Sequence, residues 1–155
     1  MKAKWMAVLA IALVFAGCAG MEEPRIHKVG EDVFFVEVEE FDLTNAQVQE
    51  LESASGGKVV VLQDESGKAE ATIQLSKGNY EITVYALGPT YDEDAFYVTV
   101  GENAEERRWP ENPGEILPTL DVVTFAQEAD GPCDILLSFA EPNVQLDRVQ
   151  FKHVP

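Results

Sequence analysis

Beyond residue 32, apolar and polar positions alternate along most of the chain with the two-residue period of β-strands. Residues 33–41 are rich in β-branched and aromatic side chains, contain no Gly or Pro, and predict a strand. Phe34, Val36 and Val38 would share one face of it; Phe35, Glu37, Glu39 and Phe41 would share the other. Further strands are predicted at 58–63, 69–75, 80–86, 95–100, 119–125, 133–139 and 145–152, with Gly, Ser, Asn and Asp in the turns between several of them. The cleanest alternation is at 80–86, where Tyr80, Ile82, Val84 and Ala86 face inward and Glu81 and Thr83 outward. Thr44 reads as the cap of a short helical turn ending near Leu51, and residues 101–114 read as a loop. About eight strands and no long amphipathic helix predict an all-β sandwich or barrel.

The face shared by Phe35, Glu37, Glu39 and Phe41 sets two carboxylates between two phenyl rings. The last strand repeats the pattern, with Asp147 on the face of Val149 and Phe151. Carboxylates held close in a dry setting repel one another and call for a cation. Glu37, Glu39 and Asp147 together would offer calcium the hard oxygen ligands it takes. The alternative is an edge-exposed or twisted first strand, with its acids in water.

The chain opens with Lys2 and Lys4, then runs apolar from residue 5 to 16 and reaches Gly17 and Cys18. A charged start and a short apolar run describe an export leader, too short for a spanning helix of ~20 residues. Residues 15–18 (Phe-Ala-Gly-Cys) resemble the lipobox of bacterial lipoproteins, which implies lipidation of Cys18; an ordinary secretory signal cut nearby is the alternative. The domain reading is therefore 1–17 leader, 18–31 lipidated tether and 32–155 β-sandwich, on an envelope protein facing periplasm or cell exterior. With Cys18 lipidated, Cys133 becomes a buried structural thiol.

Charge narrows the partners. The chain carries 11 basic and 28 acidic side chains, a formal net charge of −17. Without Lys2 and Lys4 the balance becomes 9 against 28, or −19. Such a charge disfavours nucleic acid and anionic lipid headgroups as partners, and anionic polysaccharides unless calcium bridges them.

Five motifs occur in the order of carbohydrate-binding modules of families 6 and 35. Residues 36–39 (Val-Glu-Val-Glu) resemble their Glu-x-Glu opening strand, and 54–59 their Ser-Gly-Gly-Lys turn. Residues 77–82 resemble their Gly-x-Tyr strand start, 93–98 their Asp-Ser-Phe-Tyr-Val segment with Ala95 for Ser, and 145–149 their Leu-Asp-Arg-Ile closing strand. The resemblance implies a jelly-roll β-sandwich of the galactose-binding-domain type. It implies a structural calcium on Glu37, Glu39 and Asp147 and on backbone carbonyls near Gly56 and Lys58. It also implies a sugar site on loops at one end, where an aromatic ring stacks on a pyranose and polar side chains bond its hydroxyls. Trp109, Tyr91 and Asn143 are the candidates. Trp109 as a lid over the core, Tyr91 as a lone exposed ring and Asn143 as a turn residue are the alternatives.

The ligand expected is a neutral polysaccharide or glycan, with a separate glycan-degrading enzyme or envelope protein as partner. No catalysis is expected. Asp92 and Asp94 form an acid pair of the kind glycosidases use, but no Ser-His-Asp set, His cluster or phosphate loop accompanies it. A structural or protein-interaction lipoprotein, using the same sandwich without a sugar site, is the competing function.

Overall fold

The computed structural model describes residues 22–155; the leader and Cys18 lie outside the described residues. In chain order the strands are β1 (His27–Lys28), β2 (Val33–Glu37), β3 (Asp42–Thr44), β4 (Ala46–Glu50) and β5 (Lys58–Leu62). Next come β6 (Lys68–Leu75), β7 (Gly78–Leu87), β8 (Phe96–Val100) and β9 (Glu106–Arg108). The last are β10 (Leu117–Pro118), β11 (Val123–Gln127), β12 (Gly131–Phe139) and β13 (Gln145–Val154). A 3-10 turn at Val38–Glu40 is the helical element among the described residues.

Two antiparallel sheets form the sandwich. One runs β3-β6-β12-β8-β9. The other is built around β13, which has β7 along one edge and β2 followed by β5 along the other. β1 extends the sheet beyond β2, β4 extends it beyond β5, and β10 and β11 share the far edge of β7. The alternating inward residues interdigitate as one core, with Leu137, Ile135, Val98, Val84, Val149 and Phe151 all at most 1 % exposed. Tyr80, Ile82, Val84 and Ala86 face that core as their spacing predicts. Cys133 is buried as expected, and burial pushes its thiol up to about 11.

Three expectations change. Residues 42–50 are two strands, not a helical turn. Asn45 takes a left-handed φ of 45°, which Asn tolerates, and carries the chain from one sheet to the other. Its carbonyl accepts from Gln63 N at 3.0 Å, closing the crossing. The stretch 101–114 contains β9, because residues 106–108 pair with 96–98. Finally, part of the presumed tether lies on the body. Pro24 is buried, His27 and Lys28 pair with Phe35 and Phe34, and the His27 ring stacks on Phe35 at 4.9 Å and 8°.

Loops 88–95, 109–116 and 140–144 lie together at one end of the sandwich, since β7 and β12 finish there and β8 and β13 begin there. Replacing Leu137, fully buried in the central strand β12, with Ala should cost about 2–5 kcal/mol in a denaturant melt. Val48→Thr on the exposed edge strand β4 should stay within about 0.5 kcal/mol of the parent.

Candidate functional site

The acids singled out by the strand pattern meet where β13 has two neighbours in succession. β2 pairs with residues 148–152 of β13, and β5 with residues 145–146. Asp147 sits at the fork between them. It is the extra residue of a β-bulge, because Leu146 pairs with Ala86 and Arg148 with the very next residue, Tyr85. A bulge re-aims one side chain without ending the strand. Asp147 is thereby fully buried.

Glu37 is the last residue of β2 and faces Arg148 in the register. The 3-10 turn then breaks the alternation of the strand. Phe41 consequently joins the core and does not bracket the acids, whereas Phe35 stays half-buried on the outer face against His27. The turn nevertheless brings Glu39 beside Glu37. Both carboxylates face the loop before β5, where Gly57 takes φ 74° and its N–H closes a turn onto the Ala54 carbonyl at 3.1 Å. A Cβ on Gly56 would collide with Glu39 Oε1 and stand 3.5 Å from Glu37 Cδ. Only glycine leaves that space open.

The polar contacts divide the three acids. Asp147 Oδ1 accepts from Ser55 N at 2.8 Å, and Oδ2 accepts from Arg148 Nη1 at 2.7 Å. The Arg148 guanidinium is fixed in turn over the Tyr85 ring at 3.9 Å and near Phe35 at 5.5 Å. Glu37 Oε1 accepts from Ser55 Oγ at 2.8 Å. Glu37 Oε2 and Glu39 Oε2 are buried and accept nothing. Burial holds all three carboxyls above their ordinary range. Asp147 pushes both glutamates up further, and Glu37 does the same to Glu39, while Lys58 pulls Glu39 down.

Two orphaned oxygens beside an open glycine fit a cation that binds through oxygen. Among the described residues no three His, Cys, Asp or Glu side chains stand grouped as a metal-holding set. Asp147 has both oxygens engaged, one by Ser55 and one by Arg148. Glu37 and Glu39 are the open pair.

A second feature lies at the end of the sandwich that gathers loops 88–95, 109–116 and 140–144. A cleft of about 300 Å³ is lined there by Tyr91, Trp109, Asp94, Arg107, Glu111 and Glu141, among others. Tyr91 is 71 % exposed and Trp109 39 %, and Trp109 belongs neither to the core nor to the residues packed on it. Its backbone is fixed, since its carbonyl accepts from Leu120 N at 3.1 Å and Pro110 bridges to Thr119.

Glu141 rivets the loops. Its Oε2 accepts from Asp94 N at 3.0 Å and Ala95 N at 2.9 Å, and its Oε1 pairs with Arg107. Asn143 adopts φ 64° in its turn and donates to Glu93 Oε1 at 3.0 Å, outside the cleft lining. The sequence reading thus placed two of its three loop residues in one cleft. It missed Arg107 and Glu141, and it named Asp94 only as half of an acid pair. No spacing rule links residues 94, 107 and 141; the pairing of β8 with both β9 and β12 does.

No protein-family model matches the chain, and no curated protein does. Solved structures do. A family 35 carbohydrate-binding module from Clostridium thermocellum aligns over 80 % of this chain and 100 % of its own, with TM-score 0.65 and 14 % identity. A GH26-CBM35 β-(1,4)-mannanase of Podospora anserina aligns over 81 % of this chain with TM-score 0.68 and 14 % identity. An exo-β-1,3-galactanase of Phanerochaete chrysosporium aligns over 78 % with TM-score 0.64 and 18 % identity. The chain spans only 28 % and 29 % of those two enzymes' own lengths. The likeness is one of fold, and the fold is the β-sandwich of a family 35 carbohydrate-binding module.

Proposed function

We propose that the chain is a non-catalytic glycan-binding module, held at a bacterial cell envelope through lipid on Cys18 and stapled by one calcium ion. One observation carries the binding reading. Two exposed aromatic rings from separate loops line a single cleft at the loop end of a sandwich with the fold of a carbohydrate-binding module. Flat rings present an apolar surface to the C–H face of a pyranose, and the charged side chains beside them accept from or donate to hydroxyls. The net charge of −17 argues against an anionic glycan. A glycan-degrading enzyme or another envelope protein is the partner class.

Glu37 and Glu39 would hold the calcium, through the oxygens that no other described residue reaches. The resemblance adds backbone carbonyls near Gly56 and Lys58. Asp147, beside both glutamates, adds a third negative charge partly offset by Arg148. Bound there, the ion neutralises repelling carboxylates and joins β2 and the turn after it to the start of β5, beside Asp147 of the last strand.

Glycan-array binding of a 19–155 fragment tests the binding reading directly. Trp109→Ala should weaken any glycan found by at least about tenfold, some 1.4 kcal/mol, with a melting temperature unchanged within about two degrees. An array with no binder would leave the sandwich as a structural or interaction module. Cys18→Ser in the full chain should move the protein from the membrane to the soluble fraction; persistent membrane fractionation would remove the anchor.

Thermal melts in EDTA and in millimolar calcium test the staple. Binding to the folded state alone should add about 2.7 kcal/mol at a hundredfold excess over Kd, and magnesium should substitute poorly. The pH dependence has a definite sign. Glu37, Glu39 and Asp147 lie above their ordinary values of 4.5, 4.5 and 3.8, so without metal the folded state holds protons that the unfolded state has lost. Their contribution is complete below the unfolded values and is lost as pH rises through the raised ones. In EDTA, stability should therefore fall from about pH 4 towards neutrality. Calcium should flatten that fall, and Glu39→Gln should flatten it without calcium. Identical melts in EDTA and calcium would exclude the ion.

A further inference from the structure

Building on the glycan reading, we propose that the ligand of the Tyr91–Trp109 cleft carries a protonated primary amine, as in an amino-sugar glycan. Four charged side chains line the cleft: Asp94, Arg107, Glu111 and Glu141. Arg107 is paired with Glu141 Oε1, and Glu141 Oε2 is occupied by the Asp94 and Ala95 N–H groups. Arg107, the cation of the described lining, is thus engaged by Glu141 and only partly offsets Asp94. Asp94 and Glu111 remain, two negative charges without an ion-pair partner among the described residues.

Asp94 is the more telling. It is 8 % exposed yet lines the cleft, and no side-chain or backbone donor of another described residue reaches its carboxylate. Burial and the nearby Glu141 hold that carboxyl above its ordinary range, while Arg107 draws it part of the way back. The Asp94 oxygens face the cleft and are not sealed from water, and a ligand that brings both a donor and a positive charge replaces that water with a charge-assisted hydrogen bond. An ammonium supplies three N–H donors and one charge. The same charge is drawn to the faces of the Trp109 and Tyr91 rings. A hydroxyl would satisfy the hydrogen bond and leave the charge; a carboxylate on the ligand would add to the repulsion.

The test is calorimetric titration of the full chain at about 150 mM salt, which screens diffuse attraction to the acidic surface. The probes are a β-1,4-glucosamine pentamer, its N-acetylated counterpart, mannopentaose, and a glucuronic-acid oligomer in millimolar calcium. The free-amine pentamer should bind at least tenfold tighter than the N-acetylated one. Asp94→Asn should abolish that preference, and Glu111→Gln, at an exposed position, should reduce it. Glu128→Gln, in the exposed turn before β12 at the opposite end, should leave it unchanged.

Equal or tighter binding of the N-acetylated or mannose probe would overturn the amine and keep the glycan reading. So would preference for the glucuronic-acid oligomer in calcium. Free-amine binding that survives both Asp94→Asn and Glu111→Gln undiminished would be diffuse polycation attraction, and would overturn the proposal too. If Asp94→Asn does not fold, the Glu111→Gln result decides. Failure of every probe and of a full glycan array would take both readings together.

Discussion

Two buried carboxylates, Asp147 and Glu37, with the half-buried Glu39 beside Glu37, are the constraint around which this sandwich is built. Asp147 has no exposed surface and Glu37 is 5 % exposed, yet the surrounding core is apolar. Like charges at such a place are tolerated only if something offsets them. The structure offsets one internally. Arg148 bonds Asp147, lies over the Tyr85 ring and near the Phe35 ring, and also draws Glu37 down a little. The β-bulge, the 3-10 turn and the bare Gly56 all serve the same corner: they aim Asp147 inward, turn Glu39 beside Glu37, and keep space open in front of both.

The two features of interest are built differently. The carboxylate corner is part of the sheet architecture, at the fork where β2 and β5 share β13. The cleft is made of loops and the short strand β9, tied together by Glu141, by Asn143 on Glu93 and by Gly114 N donating to the Gly88 carbonyl. The first can change little without disturbing the fold. The second sits on a rigid scaffold and varies with its loops, which is where recognition normally resides.

The strand pattern made most of the fold legible. Period-two alternation located the long strands, and Tyr80 to Ala86 and Val149 with Phe151 face the core as their spacing implies. It failed where short elements depend on partners. β3, β4 and β9 are three to five residues long, and their pairing with distant strands, not their composition, makes them strands. The acids were legible for a partly mistaken reason. Phe41 does not flank them, because a 3-10 turn reverses the parity that a strand would have kept. In the cleft, exposed Trp109 and Tyr91 were legible as aromatics in polar loops. Arg107 and Glu141 were not, because a contact across 34 residues leaves no local trace.

The central claim is that the Glu37–Glu39 corner holds a cation. Calorimetric titration of calcium into the metal-stripped protein, run near pH 5.5 in two buffers of different ionisation enthalpy, tests it most directly. The account predicts saturable binding of a single ion per chain. It also predicts a heat that differs between the buffers, because carboxyls raised by burial release protons as calcium enters. Absence of saturable heat, or the same binding in Glu37→Gln/Glu39→Gln, would contradict it.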